Sequence, residues 1–347
     1  MVAGRATIDD VAARSGVSTA TVSRVLSGSA PARPETRERV LAAARDLGYR
    51  PSGIARALKR QETRTLGLVI TDITNPFFPQ VVRAVEAAAH ERGYGIVLAD
   101  GADSPARELE HLDLLVERRV DGIMVASSRA MRRHATLLRE IGVPVVLLNS
   151  GLVEGLPSID TSHRLGARLA ANHLLGLGHR RIGHISAPRS NAAAADRLAG
   201  VRDAMRASGS GAVLVVAEGD GHVEGGAGAG EQLATAHGCT GIVCYNDLTA
   251  IGALRGLRSA GRRVPADVSI VGFDDIDLAA WMDPPLTTVR QPTVAMGRWA
   301  VERLVRLATN AEPAEPGEPA SVHLPPELIV RASTSPPIDL DLDRLSR

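Results

Sequence analysis

The stretch TIDDVAARSGVSTATVSRVL, residues 7–26, reads as two short helices joined by a tight turn. Ile8, Val11 and Ala12 recur at i, i+3 and i+4, laying one apolar face along a first helix. Thr7 with Asp10 three residues on has the form of a capping box, Asp standing for the usual Glu. Gly16 supplies the left-handed residue that ends this helix, and Ser18 is placed to cap the next by accepting from its free N–H groups. Val22, Val25 and Leu26 then face a core, while Thr19, Ala20, Ser23 and Arg24 face away. A second helix with small polar residues and one arginine outward suits a DNA major groove. On turn chemistry alone the lesser alternative is a hairpin that packs on something else.

Downstream, Pro34 and Glu35 open a third helix whose apolar stripe is Val40, Leu41, Ala44 and Leu47, closed by Gly48. Tyr49-Arg50-Pro51 breaks the chain, and Ser52 can cap a short helix over Gly53–Arg60. At that length a helix is marginal alone in water, since roughly 12 residues are needed. The segment reads either as a frayed linker or as one that folds on binding, with Leu58 wedged between base pairs. Residues 1–64 hold 12 Lys/Arg against 6 Asp/Glu, a net +6, whereas the rest of the chain is net −5. A basic head on an acidic body fits nucleic-acid contact through the head only. The only cysteines are Cys239 and Cys244, without the paired histidines of a zinc motif, and no metal or cofactor is expected. No stretch has the length and apolarity of a membrane span, and the N-terminus carries no secretory apolar run. The expectation is a soluble, cytoplasmic, reduced protein with no membrane partner.

From Thr65 onward strands and helices alternate, which implies a parallel sheet covered on both faces; the pattern restarts at His163, giving two similar lobes. Ligands of such sheets bind beyond the carboxyl ends of the strands. The residues expected there are polar: Asp72 to Phe78, Ser127 and Ser128, Asn149, Asn246-Asp247 and Asp274-Asp275. A ring of Asn, Asp and Arg can satisfy the hydroxyls of a sugar-like ligand, and Phe77 and Phe78 can give it a flat apolar wall. Asn246 and Asp247 are equally fit to cap the next helix, and Asn75-Pro76 is equally turn chemistry. The run GDGHVEGGAGAG, residues 219–230, lacks the ending of a phosphate loop and reads as a loose loop before a poor helix start.

YRPSGIARALKR, following TIDDVAARSGVSTATVSRVLSG and ETRERVLAAARDLGY, closely resembles the head of LacI/GalR-type bacterial transcription regulators. The resemblance continues through RTLGLVITDITNPFF, RVDGIMV, GHRRIGHISAP, DRLAGV, CYNDLTAIGAL, VPADVSIVGFDDI and PPLTTVRQP, and covers roughly residues 6 to 334. It implies an N-terminal all-α helix-turn-helix domain followed by an α/β two-lobed, periplasmic-binding-protein-like (type I) domain with parallel sheets. The implied order is a headpiece over 1–50, a hinge helix and linker over 51–64, an effector-binding and dimerisation domain over 65–335, and a tail over 336–347. The lobes would be about 65–159 with 290–325, and 160–289, the last long helix returning to the first lobe.

By resemblance Thr19, Ala20 and Arg24 match base-reading positions, and Leu58, next to Ala57, matches an intercalating hinge leucine. Ser18, Thr21 and Ser23 are placed to touch phosphate. Phe77, Asn149, Arg197, Asn246, Asp274 and Gln291 match positions that line the family's effector cleft; Asp72, Phe78, Ser127 and Asn191 complete the expected set. Two positions depart from the family: Ala193 stands where relatives often carry a polar contact, and Gly221 where many carry an aromatic. The second lobe is therefore expected to lack a stacking wall, which disfavours a purine-like ligand. The leading expectation is a homodimeric, sequence-specific DNA-binding transcription regulator, most often a repressor in this family. It would sit on palindromic operator DNA and be controlled by a small sugar-like effector. A transport solute-binding protein would suit the body but not the basic head. An enzyme would have to use Asp274-Asp275 or His184, for which no nucleophile–base set is apparent.

Overall fold

The computed structural model describes residues 6–27, 31–49, 62–128, 131–188, 192–309 and 320–338. It divides into two compact units, Met1–Thr63 and Arg64–Arg347. In the first, α1 (Ile8–Ser15), α2 (Thr19–Ser27) and α3 (Pro34–Asp46) close around Val11, Val22, Val25, Val40 and Ala44. Asp10 N donates to Thr7 Oγ1 at 3.3 Å and Thr7 N to Asp10 Oδ2 at 2.8 Å, the reciprocal capping box expected from the sequence. Gly16 turns the chain at φ 65°, and Val17 N reaches back to Ala12 O. A residue without a Cβ takes the left-handed conformation there while the stranded carbonyls find donors. Arg39 Nε donates to Ser15 O at 3.1 Å and ties α3 to the end of α1.

The larger unit begins β1 (Thr65–Ile70), α4 (Phe77–Glu91), β2 (Gly95–Asp100), α5 (Pro105–Glu117), β3 (Gly122–Ala126), α6 (Met131–Glu140), β4 (Val145–Leu148) and β5 (Ser158–Thr161). It continues with α7 (His163–Gly176), β6 (Arg181–Ser186), α8 (Ala192–Ala207), β7 (Val213–Glu218), α9 (Val223–Thr235), β8 (Gly241–Cys244), α10 (Asp247–Ser259) and β9 (Ser269–Val271). It ends with β10 (Thr288–Arg290), α11 (Thr293–Ala308), β11 (Ser321–Leu324) and β12 (Glu327–Ile329). One sheet runs β11-β5-β4-β3-β1-β2 and the other β7-β6-β8-β9, every pairing parallel; β10 and β12 form a small antiparallel pair. The central strands β3, β4 and β8 are buried along their whole length, as helices on both faces require. The last long helix does return to the first lobe: α11 packs on α4 so closely that a Cβ on Gly297 would lie 2.9 Å from Ala84.

Several elements were not foreseen: the helix α6, and β5, β11 and the β10–β12 pair, where strands of three or four residues carry little periodicity. Expectation and structure part most clearly at the glycine run. The helix expected near Glu231 is α9, and it starts at Val223, inside the run expected as a loose loop. The reason is its neighbour α10. A Cβ on Gly226 would lie 2.3 Å from Thr249 O, one on Gly252 2.0 Å from Val223 O, and one on Gly256 2.0 Å from Ala227 O. The glycines let two helix backbones touch, and that packing outweighs a helix penalty of about 1 kcal/mol per glycine.

Candidate functional site

On α2, Thr19, Ala20 and Arg24 are exposed, with Ser23 partly so. Ser18 Oγ accepts from Thr21 N at 3.2 Å and lies 3.0 Å from Thr21 Oγ1, so these two hydroxyls also start the helix. Arg24 Nε donates to Ala20 O at 3.2 Å, which lays the side chain along the helix face. One element thus presents Ser18, Thr19, Ala20, Thr21, Ser23 and Arg24 together. Ala57 and Leu58 lie outside the described residues, as does Asn191.

Between the two lobes of the larger unit lies a cleft of about 580 Å³, its open mouth included. Asp72, Phe77, Phe78, Ser127, Asn149, Arg197, Asn246, Asp274 and Gln291 all line it. Strand ends put them there. Ser127 follows β3, Asn149 follows β4, and Asp274 follows β9 by three residues. All three have positive φ, 59°, 46° and 121°, because the chain must turn sharply off each strand. Phe77 and Phe78 form an edge-on pair, ring centroids 5.5 Å apart, at the start of α4.

The polar groups form one chain of contacts across the cleft. Asn149 Nδ2 donates to Gln291 Oε1 at 2.7 Å, and Thr161 Oγ1 donates to the same oxygen at 2.7 Å. Gln291 Nε2 donates to Asp274 Oδ1 at 2.7 Å, and Arg197 Nη2 stands 3.5 Å from that oxygen. Arg197 Nη1 donates to Tyr245 O at 2.5 Å, and the guanidinium lies 3.7 Å from the Phe273 ring centroid and 4.6 Å from that of Tyr245. Two ring faces thus hold the buried cation. Burial pushes the Asp274 carboxyl up to about 6 despite the Arg197 charge beside it. Burial also holds Asp247 well above its ordinary range, and Asp274 adds to the effect; its carboxylate accepts from Ile276 N and Thr288 Oγ1. Burial and then Arg197 push His163 well below its usual value, so it stands neutral in the cleft wall. The buried Arg197 Nε and His163 Nε2 atoms have no protein hydrogen-bond partner.

Asn246 lines the cleft and is also the helix cap that the sequence allowed: Oδ1 accepts from Thr249 N at 2.8 Å, and Nδ2 donates to Gly221 O at 2.9 Å. One expectation needs correction. The second lobe does have an aromatic wall. The Tyr245 ring lines the cleft there, in van der Waals contact at 3.6 Å with where a Gly221 Cβ would stand. Tyr245, His163, Asp103 and His222 are cleft residues that sequence reasoning passed over. Tyr245 directly follows β8, and the strand-end rule could have found it. His184 is buried, pushed down to about 4 by burial, and its Nδ1 donates to Val243 O at 3.0 Å, which makes it a tie between strands.

The head and the cleft define a DNA-binding regulator whose body takes a small ligand. Residues 7–52 match the bacterial regulatory protein lacI family, and residues 171–334 match the periplasmic binding protein-like domain. The HTH-type transcriptional repressor PurR of Photobacterium profundum is 35% identical over 335 residues, covering 94% of this chain and 98% of that protein. Among solved structures, a transcriptional regulator CelR–cellobiose complex is 35% identical, with a TM-score of 0.71 and coverage of 95% of this chain and 100% of that one. The lac repressor dimer bound to operator and the anti-inducer ONPF is 29% identical, with a TM-score of 0.82 and coverage of 96% and 100%. The chain belongs to the LacI/GalR family of bacterial transcription regulators. Its fold is a helix-turn-helix domain followed by a two-lobed, type I periplasmic-binding-protein-like domain, and its function is DNA-binding transcription regulation under small-molecule control. No helix among the described residues is long and apolar enough to cross a membrane.

Proposed function

We propose that this protein is a cytoplasmic, non-enzymatic repressor. It acts as a homodimer on palindromic operator DNA and is released or recruited by a neutral, polyhydroxylated effector bound in the cleft. The headpiece (1–50) reads a half-site through Thr19, Ala20 and Arg24, while Ser18, Thr21 and Ser23 meet phosphate. The hinge (51–64) inserts Leu58, beside Ala57, at the dyad. The effector-binding and dimerisation domain (65–335) carries the cleft. An arginine that bonds a guanine with both arms discriminates by about 1–3 kcal/mol.

The observation that carries the reading is the contact chain Asn149–Gln291–Asp274–Arg197, which crosses from one lobe to the other. A ligand that bonds to this chain prefers one lobe arrangement over another, and that preference is the coupling free energy an effector needs. Cleft donors and acceptors are interleaved, as hydroxyls demand.

The test is a thermal-shift screen of monosaccharides, disaccharides and nucleosides on the full chain, with Arg197→Lys and Ser127→Ala alongside. Lysine keeps the charge at 197 but loses the planar fork. The expected result is one compound class that stabilises the parent, stabilises Arg197→Lys less, and changes affinity for a duplex selected from a random pool. A ligand whose shift survives both variants, or one without effect on DNA affinity, would overturn the reading.

A further inference from the structure

Asp72 and Asp103 stand on the first lobe at the cleft mouth, one after β1 and one after β2; His222 stands on the second lobe, directly before α9. One donor atom from each lies within 4.8 Å of the other two. His222 Nε2 is 3.2 Å from Asp103 Oδ2, a polar contact between lobes. We propose that these three side chains form a divalent-cation site of the kind zinc occupies, and that the metal clamps the two lobes together.

The donor set argues for zinc. One imidazole nitrogen and two carboxylate oxygens suit a borderline cation, whereas magnesium and calcium prefer oxygen alone. Zinc bonds of about 2.0–2.2 Å in a tetrahedron put neighbouring donors roughly 3.3 Å apart. The His222–Asp103 contact already has that spacing, so these two side chains can share a metal with little movement, and Asp72 lies within 4.8 Å of both. The loops are also braced. Asp72 Oδ1 accepts from Thr74 N at 2.9 Å, and His222 N donates to Asp220 Oδ1 at 2.8 Å. The Thr74 hydroxyl also lies 2.7 Å from Asp72 Oδ1 and 2.8 Å from Oδ2; its single proton bonds one of them, so the carboxylate keeps a lone pair for a metal. Three protein donors leave a fourth position for water or a ligand hydroxyl. Because the donors come from both lobes, any metal affinity is affinity for the lobe arrangement that brings them together, and metal and lobe angle are linked. The site shares the cleft with the proposed effector but does not rest on that reading.

The experiment uses untagged full-length protein freed of metal by a chelator. It is titrated with zinc chloride by calorimetry and with cobalt chloride by visible absorption, for the parent, His222→Ala and Asp103→Asn. Asparagine tolerates the left-handed φ of 58° at position 103, so that variant keeps its turn. The expected result is a saturable zinc site in the parent, weakened about tenfold or more in both variants. Zinc should raise the melting temperature of the parent alone, and the visible band of four-coordinate cobalt should be lost in both variants. Equal zinc affinity in all three proteins would place the metal on others of the ten histidines and overturn the proposal. Absence of saturable binding up to millimolar zinc would overturn it too, leaving His222 and Asp103 a polar contact only.

Discussion

At the scale of single residues, the cleft is dominated by the cost of burying charge. Asp274 is held near the base of the cleft with one cation, Arg197, beside it, and burial still wins, raising its carboxyl to about 6. A carboxyl whose folded value lies above its unfolded one stabilises the protein when protonated, and that stability is lost as pH rises from about 4 through about 6. Asp247, raised in the same direction, adds to the trend. We therefore expect the melting temperature of Asp274→Asn, relative to the parent, to rise between pH 4.5 and 7.5. Thermal melts in a pH series read this directly; a constant or falling difference would mean that Arg197 fully compensates the charge. Arg197 itself was legible from its place before Leu198-Ala199-Gly200. Its stacking between Phe273 and Tyr245 was not, because neither ring is near it in sequence. The chain has only eight aromatic residues, three Phe, three Tyr and two Trp, and four of them line or back this one site.

At the scale of elements, local rules worked where the signal is local. The capping box at Thr7 and the left-handed turn at Gly16 fall where the sequence places them, since each depends on residues four or fewer apart. They failed at α9, where propensity opposed the fold and contact with α10 decided. The two faces of this helix pair should respond oppositely to the same change. On α10, Gly256→Ala forces a Cβ into the Ala227 carbonyl and is expected to cost about 1–3 kcal/mol or more. On α9, Gly228→Ala meets nothing within 4 Å and is expected to stabilise by about 0.5–1 kcal/mol. Denaturant melts of both variants check the pair; a destabilising Gly228→Ala would mean that the outer face of α9 is covered by a partner.

At the scale of the whole molecule, Gln291 stands at the crossing between lobes, bonded to Asn149 and Thr161 on one side and Asp274 on the other. Gln291→Ala removes that link, so a cleft ligand should still bind, more weakly, but its effect on DNA affinity should fall from the usual 5–150-fold of coupled sites toward about one. Measuring DNA affinity with and without saturating ligand separates the two effects; an unchanged ratio would show that the coupling runs elsewhere. The charge division belongs to this scale too. A head at net +6 and a body at net −5 direct the duplex to one end of the chain.

Sequence alone determined the helices of the head, the alternation of the body, and the strand-end residues from which the cleft is built. All of these follow from hydrophobic period, capping and turn chemistry, which act over a few residues. Only the tertiary structure decided which of those residues meet. Asn149 reaches Gln291 142 positions away, and Arg197 reaches Tyr245 O 48 positions away. It also decided that Asn246 caps a helix, that Tyr245 lies against Gly221, and that a glycine-rich run is helical. Such outcomes depend on burial and on how closely backbones approach, and neither is a property of a short stretch of chain.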